Sequence, residues 1–110
     1  MATKANLIID QGATYETTVN ITDDDGNTVD LSGYTGAAQA RKHYTSNTAY
    51  NFTVTVNGSE GQVVLSMSSN TTMQLASGRY VYDCELTETS SGKVSRVLEG
   101  IVTVTPNVTR

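Results

Sequence analysis

The residues with the most reactive side chains in this 110-residue sequence are its only cysteine, Cys84, and its only histidine, His43. A thiolate beside an imidazole is a nucleophilic pair. Cys84, however, shares the phase of Tyr80, Tyr82 and Leu86 in an alternating run, which assigns it to a face expected to be core. A thiol buried there is inert and packs as a small hydrophobe. One histidine builds neither a multi-histidine zinc site nor a relay through two imidazoles within one chain. Serine is plentiful, but no Gly-X-Ser-X-Gly elbow occurs, and Asn57-Gly58-Ser59-Glu60-Gly61 reads as a loop. Glycine-rich phosphate motifs are absent. The expectation is a non-enzymatic protein without a cofactor.

Asp23, Asp25 and Asn27 place oxygen side chains on alternate residues, the opening spacing of a calcium loop. The pattern then fails, because Gly26 falls at the fourth position instead of the sixth and Tyr34 stands where a bidentate Glu would close the site. A solvated hairpin turn, which itself demands Asp, Gly and Asn, is the favoured reading, with an adventitious or assembly-stabilising cation as the alternative. No metal is assigned. The remaining chemistry is adhesive. Of six tyrosines, Tyr44 and Tyr50 flank the polar stretch Thr45-Ser46-Asn47-Thr48, which reads as a loop presenting two aromatic anchors to a partner, or as a hairpin loop whose tyrosines cover the end of the domain. Tyr44, Asn47 and Tyr50, with Thr109 and Arg110 in the C-terminal tail, are the candidate protein-contact residues.

The elements that hold these residues are strands. Val, Ile, Thr and Tyr recur with period two between clusters of Gly, Asn and Asp. Asn6 to Asp10 reads as a short strand ended by Gly12. Tyr15, Thr17, Val19 and Ile21 form one face of the next strand, and Asp25-Gly26 turns the chain back toward Val29 and Leu31. Gly36 to Tyr44 reads as a strand with small residues at Ala37, Ala38 and Ala40. Phe52, Val54 and Val56 pair through the loop 57–61 with Val63, Leu65 and Met67. Ser69 to Ala76 breaks the alternation and reads as one helical turn carrying Met73 and Leu75 inward, a crossover between layers. After it, Tyr80, Tyr82, Cys84 and Leu86 share a face. Val94, Leu98, Val102 and Val104 share another, with Gly100 in their midst marking a bulge or the close approach of another backbone.

Length and composition bound the rest. One domain, 1–110, fits the length, because a second core needs roughly 50 residues of its own, and residues 1–6 and 107–110 are expected to be short flexible segments. A formal net charge of −4 with scattered cations excludes a basic face for nucleic acid or for a membrane surface. A single cysteine rules out an internal disulfide, which suits folding in a reducing cytoplasm. Without a leader-like or membrane-spanning apolar stretch, neither secretion by the general route nor anchoring is expected.

The run Asp25-Gly26-Asn27-Thr28-Val29-Asp30-Leu31-Ser32-Gly33-Tyr34 follows the alternating strand after Gly12 and precedes Arg41. Ala76-Ser77-Gly78-Arg79-Tyr80-Val81-Tyr82-Asp83 comes later, and Glu99-Gly100-Ile101-Val102-Thr103-Val104-Thr105-Pro106 closes the chain ahead of Val108-Thr109-Arg110. Together these resemble the immunoglobulin-like domains of bacteriophage tail, baseplate and other virion proteins, from Gly12 onward. The resemblance implies an all-β, immunoglobulin-like antiparallel β-sandwich of about seven or eight strands. It also implies a virion structural protein, assembled in the host cytoplasm and present in multiple copies in a symmetric particle. Its partners would be other virion proteins in the tail, neck or baseplate, with nucleic acid, membrane and small-molecule ligands not expected. The resemblance brings no active site. Related domains commonly open a longer protein, whereas this sequence stops at Arg110, so attachment through its own faces, edges and termini is expected. Two other readings stay open: a capsid decoration protein, and a carbohydrate-binding module for host attachment, the latter disfavoured by the absence of Trp and the single Phe.

Overall fold

The computed structural model describes residues 3–22 and 25–108. Their strands are β1 (Thr3–Lys4), β2 (Leu7–Asp10), β3 (Tyr15–Asn20), β4 (Tyr34–Arg41), β5 (Tyr50–Asn57), β6 (Gln62–Met67), β7 (Gly78–Glu88) and β8 (Val94–Thr105). A 3-10 turn, Gly58–Glu60, joins β5 to β6, and one short helix, α1 (Ser69–Met73), joins β6 to β7. The protein is mostly β, as the alternation predicts. All eight strands belong to one curled sheet ordered β1-β8-β7-β4-β5-β6-β3, with β2 beside β1 on the same edge of β8, and the curl makes a half-barrel.

The expectation of an antiparallel arrangement is corrected: the sheet is mixed. β1 and β2 run parallel to β8, Leu7 opposite Val102 and Asp10 opposite Thr105. Nearly the whole chain separates these strands, so no hairpin constrains their direction, and a long connection permits parallel pairing. The antiparallel ladders β3–β6, β5–β6, β4–β5, β4–β7 and β7–β8 make up the remainder.

The curl originates in β5, whose two halves serve different neighbours. Tyr50, Asn51 and Phe52 pair with β4, whereas Thr53 to Asn57 pair with β6. A strand that changes partners along its length folds the sheet back over itself. The enclosed core contains Leu7, Ile9, Ala38, Ala40, Phe52, Val63, Leu65, Met67, Tyr80, Tyr82, Cys84, Leu86, Leu98, Val102 and Val104, the inward phases of their strands. Phe52 spans the inside of the curl, with its ring 6.3 Å from that of Tyr15 on β3 and 6.1 Å from that of Tyr82 on β7. Such tilted and edge-on pairs contribute about 0.5–1.5 kcal/mol each beyond area burial.

Two inward assignments are corrected. Met73 is half exposed and Thr72 is fully buried in its place, with its hydroxyl donating to the Ala13 carbonyl at 2.9 Å and accepting from Gly12 N–H at 3.1 Å. A single helical turn carries too little hydrophobic periodicity to decide its facing, and Thr72 wins because two loop groups need a partner. Val94 points outward, 54% exposed. The β7–β8 register slips between Cys84, opposite Leu98, and Glu85, opposite Arg96. Val97 is therefore an extra residue, and a bulge reverses the phase beyond it.

The bulge thus lies at Val97 and Gly100 does the other task, admitting another backbone. A Cβ there would collide with the Ala5 carbonyl. Through that gap the Ala5 carbonyl accepts a 2.5 Å hydrogen bond from the hydroxyl of Tyr82, the residue directly opposite Gly100. Ala5 N–H also donates to the Glu99 carbonyl at 2.9 Å. Residues 3–6, expected to be loose, are in this way paired to β8.

Candidate functional site

The candidate residues that the structure describes lie on the loop 42–49 and at the start of β5, beside the outer face of β4, β7 and β8. The loop is held by its own bonds. His43 N–H donates to the Ser46 hydroxyl and Ser46 N–H to the His43 carbonyl, both at 3.0 Å, while Arg41 Nη1 donates to the Ser46 carbonyl at 2.5 Å. Lys42 lies over the ring of Tyr80, its Nζ 4.9 Å from the centroid, a favourable cation–π placement.

This frame separates the expected aromatic anchors. Tyr44 is 84% exposed and leans toward the outer face of the sheet. Tyr50 packs against the core, edge-on to Tyr80 with ring centroids 6.0 Å apart. Exposed Asn47 lies with Tyr50, Lys42 and His43 around an open cleft of about 530 Å³ at the end of the sheet. Thr109 and Arg110 lie outside the described residues.

The outer face is banded. Asn51, Gln39, Asp83, Glu99 and Lys4 stand opposite one another across successive strands as one polar row. Gln39 donates to Asn51 at 2.9 Å and accepts from Arg41 at 3.1 Å. Arg96 bridges Asp83 at 3.3 Å and Glu99 at 3.5 Å. Exposed pairs of this kind contribute only about 0–1 kcal/mol. Tyr44, Arg41, Gln39, Val81, Asp83 and Arg96 line a shallow depression of about 340 Å³ over this row.

Beside the polar row runs an apolar one that alternation alone passes over. Val81 stands opposite Ile101, 41% exposed, and Ile8, 67% exposed, sits opposite Thr103 one step diagonal from Ile101. The sequence signal is the uninterrupted apolar runs Leu7-Ile8-Ile9 and Ile101-Val102, in which both phases of a strand are hydrophobic.

The reactive residues do not converge. Cys84 is fully buried in mid-β7, and His43 follows the end of β4. Arg41 pairs with Val81, so continuing that register puts His43 level with Arg79, about 17 Å along the strand from Cys84. Burial first, then the charges of Asp83 and Glu85, push the Cys84 thiol up to about 11, away from the reactive thiolate. Burial, then the neighbouring Tyr15 and Cys84, likewise pushes the Tyr82 hydroxyl up to about 12. Asp23 lies outside the described residues. Asp25 begins a turn in which Gly26 adopts a φ of 84°, closed by a bridge between Thr22 and Thr28. Among the described residues no group of three or more acidic, cysteine or histidine side chains is placed to hold a metal ion.

No protein-family model and no curated protein matches the sequence.

Proposed function

We propose that this chain is a non-enzymatic structural subunit of a bacteriophage virion, assembled in the host cytoplasm, that docks onto neighbouring virion proteins in the tail, neck or baseplate. The observation that carries the reading is a sheet with two open ends. Among the described residues β2 pairs only with β8 and β3 only with β6, which leaves backbone donors and acceptors along both edges for other chains. Exposed Tyr44 adds an aromatic side chain of the kind enriched in protein contacts. Thr109 and Arg110 belong to the same proposed set of contacts.

The finer reading of the fold is an immunoglobulin-like sandwich whose two layers stay continuous through β5. Three features support it. β2-β8-β7-β4 form one layer and β3-β6, with the second half of β5, the other. α1 makes the crossover to β7. At the start of β7 the Tyr80 hydroxyl donates at 2.9 Å to the carbonyl of Ala76, four residues upstream, which is the bond of a tyrosine corner.

Cryo-electron microscopy of particles from the phage encoding this chain tests the assignment. Density in the tail, neck or baseplate supports it and identifies the neighbours. Density on the head lattice favours the decoration reading. Absence from purified particles, checked by mass spectrometry, overturns the virion assignment.

A further inference from the structure

We propose that two copies of this chain pair edge to edge through β2, antiparallel about a two-fold axis at Ile8. The inference is independent of the virion reading, since a dimer in solution requires no phage partner. It begins with backbone direction. Ala5 N–H donates to Glu99 and Gln11 N–H to Thr105, so in this parallel ladder the odd-numbered residues turn their backbone groups toward β8. Asn6, Ile8 and Asp10 turn theirs away from it.

The edge strand is short and carries its one charge at its end, in exposed Asp10, but its middle is open: Leu7-Ile8-Ile9 contains no charge and no proline, and the one β7–β8 bulge lies across the sheet at Val97. At its centre Ile8 is 67% exposed. The edge is also rigid, because the hydrogen bond from Tyr82 to Ala5 and the bond from Ile101 N–H to the Asn6 side chain at 3.1 Å hold the chain against β8 just before β2. A docked strand therefore meets an ordered template.

The register identifies the occupant as a second copy. Centred on Ile8, antiparallel pairing sets Ile8 against its symmetry mate with both of their N–H···O=C bonds exchanged. Leu7 then faces Ile9, and Asn6 faces Asp10, whose N–H reaches the Asn6 carbonyl. No like charges oppose one another, whereas cross-strand like charges are destabilising. The apolar row Val81, Ile101, Ile8 continues without a break into Ile8, Ile101 and Val81 of the second copy. The other edge, β3, presents Glu16, Thr18 and Asn20, all exposed and polar, which water serves well. The paired strands are short, so the dimer belongs with weak and transient contacts.

Ile8→Cys tests the geometry, with Thr18→Cys at the matching point of β3 as the comparison. Both positions are exposed, circular dichroism verifies each fold, and buried Cys84 does not compete for the oxidant. Opposed residues in such a ladder have Cα atoms about 5.5 Å apart, within disulfide reach. Mild oxidation of the concentrated protein is expected to convert Ile8→Cys to a covalent dimer while Thr18→Cys stays monomeric. In sedimentation equilibrium, Ile8→Lys is expected to weaken self-association of the otherwise unmodified chain at least tenfold. An Ile8→Cys protein that stays monomeric, a Thr18→Cys protein that cross-links as well or better, or self-association unmoved by Ile8→Lys each overturns the proposal.

Discussion

The two ends of β7 use the same chemistry to different effect. At its start, the hydroxyls of Tyr80 and Tyr82 donate to the carbonyls of Ala76 and Ala5, and both rings are 4% exposed. At its far end, the hydroxyl of half-buried Tyr34 on the paired strand β4 donates to half-buried Glu88 at 3.3 Å. All three are tyrosine hydroxyls meeting an oxygen. Only at the first end is the donating side chain itself buried, and an unmet buried group costs about 1–3 kcal/mol, more than a hydrogen bond contributes on average. Turn, crossover and N-terminal strand are tied together there, while the opposite end is held by a half-buried pair within reach of solvent.

The largest effect is expected from filling the gap that the first end depends on. Gly100→Val drives a side chain into the Ala5 carbonyl and parts it from Tyr82, combining overpacking of about 1–3 kcal/mol with a lost bond. Urea denaturation of the variant is expected to show a loss of about 2–4 kcal/mol, with faster hydrogen exchange confined first to β1 and β2. A loss spread evenly over the sheet would mean that Ala5 is not the point of contact.

Tyr82→Phe comes next, at about 1–2 kcal/mol in the same measurement, because it removes the donor and leaves the ring. The variant also separates the causes of alkaline unfolding. Tyr82 and Cys84 have folded pKa values raised to about 12 and about 11 from ordinary values of 10.0 and 9.0. A raised pKa means that the native state holds the proton more tightly, so this contribution is complete below about pH 9 and is lost as pH climbs toward 12. Wild-type stability is expected to fall through that window, and Tyr82→Phe to fall less steeply above pH 10. An equal slope would assign the transition to other groups.

The smallest effect belongs to the far end. Tyr34→Phe is expected to leave the denaturation midpoint unchanged within error, since water replaces the Glu88 bond. The charge of Glu88, more than burial, raises this hydroxyl's pKa, so Glu88→Gln should lower it in a spectrophotometric titration while Tyr82 stays where it was.

Much of the inward face was legible from alternation. Tyr80, Tyr82, Cys84 and Leu86 are buried in phase, as are Val63, Leu65 and Met67, and the β5–β6 pair joins through the loop 57–61. The loop 42–49 was legible as a polar stretch between tyrosines. Its division, with Tyr44 outward and Tyr50 against Tyr80, was not, because both tyrosines have the same flanking chemistry and only the bond from Arg41 to Ser46 and the packing of Tyr80 distinguish them.

By itself the sequence determined what is local: which residues alternate, where glycine permits the turn after Asp25, and where alternation stops before α1. The tertiary structure alone decided the parallel docking of β2 on β8, the division of β5 between partners, the bulge at Val97 that turns Val94 outward, and the use of Gly100 as a gap for Ala5. A period of two tells a strand which face to bury but not which strand lies beside it. Partner, direction and register follow from contacts between residues far apart in the chain, and those exist only once the half-barrel has closed around its core.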